Sequence, residues 1–506
     1  MDEKKTDENS LFDMLCKNDK IPFHMPGHKR NCEKNSALFR LGAAYDITET
    51  DGFDNLHNAE GILKKSMETA ANLWGSERSF YLVNGSSGGI LSAIFACVPF
   101  GGRVICARNC HKSVYNALKI RGAKAEFVNP KYDAQTGICG EISAADIENI
   151  CRKYEICGKS ETVENGGKTC KSNEKSGEKS EKNGEKHCGV SLVILTSPTY
   201  EGVISDVEKI CKSAHKFNVP VLVDEAHGAH LSFGNFEKSA VKCGADIVVQ
   251  SLHKTLASLT QTAILHICSP RVNAESVREN LAVFQTSSPS YIFMASIDLL
   301  VCSLCENKDE IFAAWQRRLD EFYANIGNLK KLEILTEKYN LGFALDRSKI
   351  VILTHKTNIS GKELMEILRR KYNIECEMCS ARYVVAMTGM GDSDENLSAL
   401  SNALMQIDKT LNPRSNGEIS IYPTKYETVM SAFCADGKNC RETDFETSKG
   451  EVSAEYIFAY PPGIPIIIPG EKISAEILKN VEIYNSNGIE LLGTKGGNGK
   501  KIHIVS

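Results

Sequence analysis

The stretch Val221–Gly228, VLVDEAHG, has the pattern of a buried strand that ends in two acids. Short apolar runs of this kind recur along the chain, at Ser79–Val83, Arg103–Ala107, Leu192–Thr196, Val219–Val223 and Asp246–Gln250. Helical periods lie between them, at Gly89–Val98, His111–Arg121 and Asp206–Phe217. Strands that alternate with helices predict an α/β fold with a mainly parallel central sheet.

Smaller C-terminal α/β units are predicted beyond this region. A second α/β pattern begins near Lys349 and runs through the helical period Gly361–Lys371 and the strand-like Arg382–Asp392. Near the C-terminus, the prolines of Ala459–Glu471 forbid a regular central strand or helix. The predicted division is an N-terminal arm (1–62), a major domain (63–310), a small α/β domain (311–412) and a C-terminal domain (413–506).

Two polar stretches interrupt the pattern. Residues 159–189 are rich in Lys, Glu, Gly, Ser and Asn and contain almost nothing apolar, which predicts a disordered insertion within the major domain. The stretch Asp436–Gly450 is polar as well and is predicted to be a surface insertion.

Composition excludes several classes of protein. The 506 residues are 42% hydrophobic and carry a net charge of -4, so no basic surface for nucleic acid is indicated. The start, MDEKKTDENS, lacks the apolar core of a signal peptide, and no apolar run approaches the roughly 18 to 20 residues that cross a bilayer. We therefore expect a cytoplasmic protein.

The 19 cysteines are expected to be free thiols in a reducing compartment, most of them buried as small hydrophobic residues. The CxxC pairs Cys302–Cys305 and Cys376–Cys379 lie too far apart for a two-pair zinc site, whose usual separation is roughly 15 to 20 residues. Because the first pair sits in an apolar helical run, core packing is the favoured interpretation.

Lys254 is the candidate nucleophile. It follows a strand-like run in Gln250–Thr255, QSLHKT. Burial at a strand end would lower the pKa of its amine and make it reactive towards an aldehyde, although a structural lysine is more common at such a place. The neighbours Ser251 and His253 could donate hydrogen bonds to a phosphate.

Asp224 ends the strand-like Val221–Val223 and therefore needs a partner. A protonated pyridine nitrogen is suitable, since the carboxylate keeps such a ring cationic. A helix cap or a structural ion pair is the alternative. The grouping of Asp224 with His227 and His230 also suggests a metal, but strand and turn geometry does not gather these side chains reliably, so no metal site is predicted.

Two further segments follow predicted strands. The small residues of Asn84–Gly89, NGSSGG, indicate a phosphate site at a helix N-terminus, although they match neither GxGxxG nor a Walker loop. In Asn109–Ser113, NCHKS, His111 could stack on a flat ring; taken alone, it would be a histidine at a helix start. Together the four segments place a phosphate cup, a ring stacker, a ring acid and an imine lysine at one sheet edge.

These segments resemble the Orn/Lys/Arg decarboxylase family, a group of pyridoxal-phosphate enzymes with the aspartate-aminotransferase-like fold. The likeness is to its shorter bacterial forms. Other matching pieces are PFHMPGHKR (Pro22–Arg30), DITETDGFDNLHNAEGIL (Asp46–Leu63), SPTYEGVISD (Ser197–Asp206), QTSSPSY (Gln285–Tyr291) and YPPGIPIIIPGE. They cover nearly the whole chain except the two polar stretches.

The resemblance implies a role for each matching residue. Lys254 would hold pyridoxal 5′-phosphate as an imine, Asp224 would face the pyridine nitrogen and His111 would stack on the ring. Glu471 would lie near the distal amine of the substrate. The other residues implied at the cofactor are Ser86, Ser87, Gly88, Ser251 and His253 around the phosphate, Ala226 on the other ring face, and His227. The family also implies a homodimer or a larger even assembly.

The implied activity is decarboxylation of arginine, lysine or ornithine, and two alternatives stay open. An aminotransferase or lyase of the same fold could use Arg382 to clamp the α-carboxylate, a contact that a decarboxylase gains little from. A catalytically inactive homologue is disfavoured because Lys254 and Asp224 are both intact.

Overall fold

The computed structural model describes residues 10–31, 36–164, 189–414, 424, 426–459 and 463–506. The strands of its larger part are β1 (Arg78–Leu82), β2 (Arg103–Ala107), β3 (Lys124–Val128), β4 (Tyr132–Asp133), β5 (Ile138–Cys139), β6 (Val190–Thr196), β7 (Val203–Ile204), β8 (Val221–Asp224), β9 (Ile247–Ser251) and β10 (Ala263–Ile267). Seven of them form one sheet in the order β1-β10-β9-β8-β6-β2-β3.

The direction of these strands decides which strand ends meet at the same edge of the sheet. β2, β3, β6, β8 and β9 pair in parallel, and β10 runs antiparallel to both β9 and β1. The strand β1 therefore points the same way as β9, and the carboxyl ends of all strands except β10 meet at one edge. The predicted fold class, α/β with a mainly parallel central sheet, is confirmed.

Helices cover this sheet and the units that follow it. They are α1 (Leu11–Cys16), α2 (Ser36–Leu38), α3 (Ile62–Trp74), α4 (Gly85–Cys97), α5 (Lys112–Ile120), α6 (Ala144–Glu164), α7 (Val207–His215), α8 (Leu252–Thr255), α9 (Ala274–Phe284), α10 (Tyr291–Asn325), α11 (Gly361–Tyr372), α12 (Asp394–Thr410), α13 (Ala432–Asp436) and α14 (Ala475–Ser486). No helix in the described ranges is both long enough and apolar enough to cross a membrane.

Close packing of α4 on the sheet depends on a glycine. A Cβ on Gly89 would lie 2.6 Å from Leu82 Cδ1 and 3.0 Å from Val249 Cγ1, which real side chains do not tolerate. The glycine lets the helix backbone approach β1 and β9 directly, and this brings the N-terminus of α4 to the carboxyl edge of the sheet.

Smaller sheets build the rest of the molecule. The strands are β11 (Glu333–Ile334), β12 (Ala344–Leu345), β13 (Lys349–Leu353), β14 (Met378–Cys379), β15 (Tyr383–Met387), β16 (Cys440–Asp444), β17 (Ile457–Ala459), β18 (Ile464–Ile467), β19 (Leu491–Gly493) and β20 (Lys501–Val505). β12 pairs with β7, and the others form an antiparallel sheet, β11-β13-β15-β14, and two C-terminal sheets, β18-β17-β19 and β16-β20. Tyr456, Phe458 and Ile468 pack into the core of the large sheet, so the C-terminal unit is anchored there.

Pro465 acts as expected in Ala459–Glu471, whereas Pro461 and Pro462 lie outside the described residues. Pro465 lies within β18, and β18 is an edge strand of its sheet. Proline has no N–H to donate, so an edge is where a strand tolerates it.

The prediction of a surface insertion at Asp436–Gly450 is wrong in part: the stretch is mostly exposed, but it contains a strand of the C-terminal unit. Residues Cys440–Asp444 form β16, which pairs with β20 along its whole length, and Phe445 is buried in the C-terminal core. The strand is exposed on both faces, so its sequence lacks the apolar alternation that reveals most strands.

The predicted insertion at 159–189 begins too early, because α6 continues to Glu164. Residues 165–188 of the insertion lie outside the described residues.

The cysteine expectations are also wrong in part. Five of the described cysteines are buried, at positions 106, 110, 151, 211 and 376, and as many are exposed. Cys302 and Cys305 lie on the exposed face of α10, whereas Ile297, Val301 and Leu304 form its buried face.

Candidate active site

Four loops at the carboxyl edge of the large sheet meet around one cavity of about 830 Å³. They follow β1, β2, β6 and β8, and the short helix α8 after β9 completes the wall. Most of the residues predicted from the sequence line this cavity: Ser86, Ser87, His111, Asp224, Ala226, His227, Ser251, His253 and Lys254.

Lys254 lies in the cavity and contacts two side chains from neighbouring loops. Its Nζ is 2.7 Å from Nε2 of His227 and 5.1 Å from the centre of the Tyr200 ring. Burial lowers the pKa of Lys254, and the negative charge of Asp224 partly opposes this effect. Burial, followed by the charge of Lys254, likewise lowers the pKa of His227. A neutral imidazole nitrogen can accept a hydrogen bond from the amine, so His227 orients Lys254 Nζ.

Asp224 and Glu225 are adjacent but have separate environments. Asp224 is 3% exposed and lines the cavity, and one hydrogen bond reaches it from the described residues, from Ala226 N–H to Oδ1. Glu225 points away and accepts hydrogen bonds from Ser239, Ala240 and Gln250. Burial raises the pKa of both carboxyl groups, that of Glu225 to about 7. Only Asp224 has a carboxylate oxygen left for a ligand in the cavity.

Hydroxyl groups and a helix N-terminus form one end of the cavity. Gly85 opens α4 with a φ of +69°, and the Ser86 and Ser251 hydroxyls lie 2.6 Å apart. His253 Nδ1 is 2.8 Å from the carbonyl oxygen of Thr262, which fixes the ring with Nδ1 as the donor. The first N–H groups of a helix have no partner within it, so this end is suited to an anion.

His111 caps α5 and keeps its ring in the cavity. Its Nδ1 accepts a hydrogen bond from the Ser113 N–H and lies 2.9 Å from the Ser113 hydroxyl. Burial, together with the charge of Lys254, lowers the pKa of His111 to about 4. The ring is therefore uncharged at neutral pH.

Several lining residues were missed by the sequence analysis. Thr196 ends β6, Thr199 and Tyr200 follow it, and the Tyr200 ring centre lies 4.0 Å from that of His227. The position of SPTYEG after a predicted strand was the signal that could have found them. Asn109 lines the cavity from the loop after β2.

Two predicted residues are placed elsewhere. Gly88 does not line the cavity, and its N–H donates to the Asn84 carbonyl within the first turn of α4. Glu471 is fully buried, and its carboxylate is held by Arg108, with Nε to Oε1 at 3.1 Å and Nη2 to Oε2 at 2.9 Å. The Ile468 N–H also donates to Oε2. Glu471 thus holds Arg108 instead of presenting a free carboxylate to the cavity.

The carboxylate clamp considered for Arg382 has no support in the geometry. Its Nη1 donates to the carbonyl oxygen of Gln135, and the residue does not line the Lys254 cavity. His230, which the sequence grouped with Asp224 and His227, is paired with Asp346 at 3.1 Å. Within the described ranges, no three His, Cys, Asp or Glu side chains are arranged to hold a metal ion.

Comparison with known proteins gives a consistent family. The family model described as Orn/Lys/Arg decarboxylase, major domain, matches residues 9–322, and that described as the C-terminal domain matches residues 422–487. The arginine decarboxylase of Bacillus anthracis is 28% identical over 501 residues, which span 96% of this chain and 95% of the relative. The arginine decarboxylase of Bacillus subtilis is also 28% identical, with 96% and 94% covered.

Solved structures share the fold. The lysine decarboxylase LdcF of Francisella novicida superimposes with a TM-score of 0.76 at 18% identity and covers 98% of this chain and 81% of its own. The likeness therefore extends through the large sheet and the C-terminal units.

Proposed function

The chain belongs to the Orn/Lys/Arg decarboxylase family, and we propose that it converts arginine to carbon dioxide and the corresponding amine with pyridoxal 5′-phosphate as cofactor. The family and the names of its relatives make the chain a decarboxylase of a basic amino acid. Arginine is favoured over lysine and ornithine because relatives that match nearly the whole chain are named arginine decarboxylases. The observation that best supports this cofactor is that one cavity is lined by Lys254, Asp224 and the serines Ser86, Ser87 and Ser251.

The donor set of the cavity fits pyridoxal phosphate. The serine hydroxyls and the α4 N-terminus suit a phosphate. Burial raises the pKa of Asp224, and a cationic ring nitrogen beside it would stabilise the charged carboxylate. Buried polar atoms without a hydrogen-bond partner among the described residues also lie in this wall, namely Asn109 Oδ1, Thr196 Oγ1 and His227 Nδ1. Buried polar atoms without a hydrogen-bond partner cost free energy, and a ligand bound in the cavity would satisfy them.

Each residue then has a defined task. Ser86, Ser87, Ser251 and His253 would bind the phosphate, and His111 and Ala226 would contact the ring. Asp224 would keep a proton on the pyridine nitrogen, because a buried carboxylate is stabilised by a cation at hydrogen-bond distance. When bound, pyridoxal phosphate supplies an electron sink for the pair released as the carboxylate leaves.

Lys254 would hold the cofactor, and His227 would orient its amine. Burial lowers the pKa of Lys254, which favours the unprotonated amine that attacks an aldehyde. His227 Nε2, at 2.7 Å, is placed to accept a hydrogen bond from Nζ and to keep the amine aimed into the cavity.

The experiment is a product assay with a panel of substrates. The purified protein with pyridoxal phosphate should release carbon dioxide from arginine faster than from lysine or ornithine, and should form no keto acid. A keto acid product would instead indicate an aminotransferase. We also propose a homodimer or a larger even assembly, which light scattering of the same preparation would measure.

A further inference from the structure

A second cavity of about 1240 Å³ adjoins the Lys254 cavity. Asn109, Thr199 and Ile464 line both, so the two share a wall. A substrate whose α-amino group reaches Lys254 would therefore extend its side chain towards the second cavity. None of the residues assigned to the phosphate lines this second cavity, so its lining is placed to contact the distal group of the substrate.

One carboxylate is the charged group without a counter-charge in the described lining of the second cavity. Among the described residues that line it, Arg108 is the cation and Glu201 is the acid. The Arg108 charge is neutralised, since two of its nitrogens bind the Glu471 carboxylate and Nη1 donates to Tyr115 Oη and the Pro465 carbonyl. Glu201 remains as the unbalanced charge of the cavity.

Glu201 is buried and only partly satisfied. It is 6% exposed, and the described residues give it one hydrogen bond, from Tyr383 Oη to Oε1 at 2.6 Å. Oε2 is left for a ligand. A buried carboxylate needs a cation or further donors, and nothing else in the described lining supplies them.

Aromatic rings line the same cavity as this carboxylate. Tyr132, Tyr383, Tyr426 and Tyr484 line the cavity, and the Tyr132 hydroxyl is buried without a hydrogen-bond partner among the described residues. Tyrosine faces attract cations, and a planar guanidinium can stack on them while it donates to a carboxylate. The lining is suited to a guanidinium group.

We propose that Glu201, and not Glu471, binds the distal cation of the substrate and selects for a guanidinium, with Tyr383 positioning its carboxylate. This inference rests on the proposed decarboxylase function. Glu201, in the segment SPTYEG, would then determine substrate specificity, whereas Glu471 neutralises the charge of Arg108.

The test compares arginine with citrulline, which has the same length but an uncharged end. The wild-type holoenzyme should prefer arginine in kcat/KM, and Glu201→Gln should lower the arginine-to-citrulline ratio about 10²-fold through KM for arginine. The ratio is independent of the active fraction, so partial misfolding does not affect it. Glu208→Gln, an exposed carboxylate on α7, is the matched control and should keep the wild-type ratio.

Two further variants keep the proposal testable if Glu201→Gln does not fold. Tyr383→Phe keeps the ring and removes the donor to Oε1, and should lower the ratio about tenfold. Glu201→Asp keeps the charge and should keep a preference for arginine. An unchanged ratio in Glu201→Gln or in Tyr383→Phe would overturn the assignment. A wild-type protein that binds the cofactor but decarboxylates no basic amino acid would instead overturn the proposed function.

Discussion

Arg108 and Glu471 lie 363 positions apart and form a fully buried bidentate ion pair between the large sheet and the C-terminal unit. The guanidinium also lies 3.9 Å from the centre of the Tyr426 ring. The pair fixes the C-terminal unit beside the two cavities, so the site depends on docking of the last hundred residues.

Breaking this pair should destabilise the protein. Glu471→Ala leaves a buried guanidinium without its partner, which costs about 3–5 kcal/mol in the free energy of unfolding. Chemical denaturation should show the loss, and the double variant Arg108→Met with Glu471→Met should recover much of it. If Glu471→Ala kept wild-type stability but raised KM for arginine, a direct substrate contact for Glu471 would replace this account.

Asp224→Asn should slow the chemical step and spare cofactor binding. The amide keeps the shape of the side chain but cannot hold a proton on the ring nitrogen. We expect single-turnover decarboxylation to fall about 10²-fold or more, roughly 3 kcal/mol of barrier. Glu225→Gln is the matched control, because its carboxylate faces Ser239 and Gln250 and its loss should reduce stability instead. Near-normal turnover in Asp224→Asn would remove Asp224 from the proposed role.

The low pKa of His111 predicts a pH-dependent stability. The folded pKa of about 4 lies below the usual value of 6.5, so the unfolded chain binds the proton first as the pH falls. The stability from a neutral His111 is complete above pH 6.5 and is lost as the pH falls towards 4.

Comparing two proteins isolates this effect. Between pH 7.5 and pH 5, the wild type should lose about 2 kcal/mol more than His111→Asn, which keeps a capping acceptor but does not titrate. Denaturant titrations at both pH values measure the difference. Equal losses in the two proteins would show that His111 is not buried in its neutral form.

Sequence reasoning brought together residues whose positions follow strand order. Asp224 ends β8, and His111 and Lys254 lie within four residues of the ends of β2 and β9, where parallel strands bring their ends together. The pattern of a strand and its next few residues is local, so these positions could be predicted without any knowledge of packing.

Features that depend on distant contacts could not be predicted. The pairing of Glu471 with Arg108 is invisible in either segment, and so is the hydrogen bond between Tyr383 and Glu201, which spans 182 positions. The exposed strand β16 was missed because it has no apolar face. It pairs with β20, and the next residue, Phe445, is buried in the C-terminal core.

Chemical trapping tests most directly whether Lys254 holds the cofactor of a decarboxylase. Borohydride reduction of the protein with bound pyridoxal phosphate, followed by peptide mapping, should place the label on Lys254, and Lys254→Ala should show neither the label nor carbon dioxide release from arginine. Lys212→Ala, an exposed lysine on α7, should behave as the wild type. A label on another lysine, or turnover that survives in Lys254→Ala, would contradict the account.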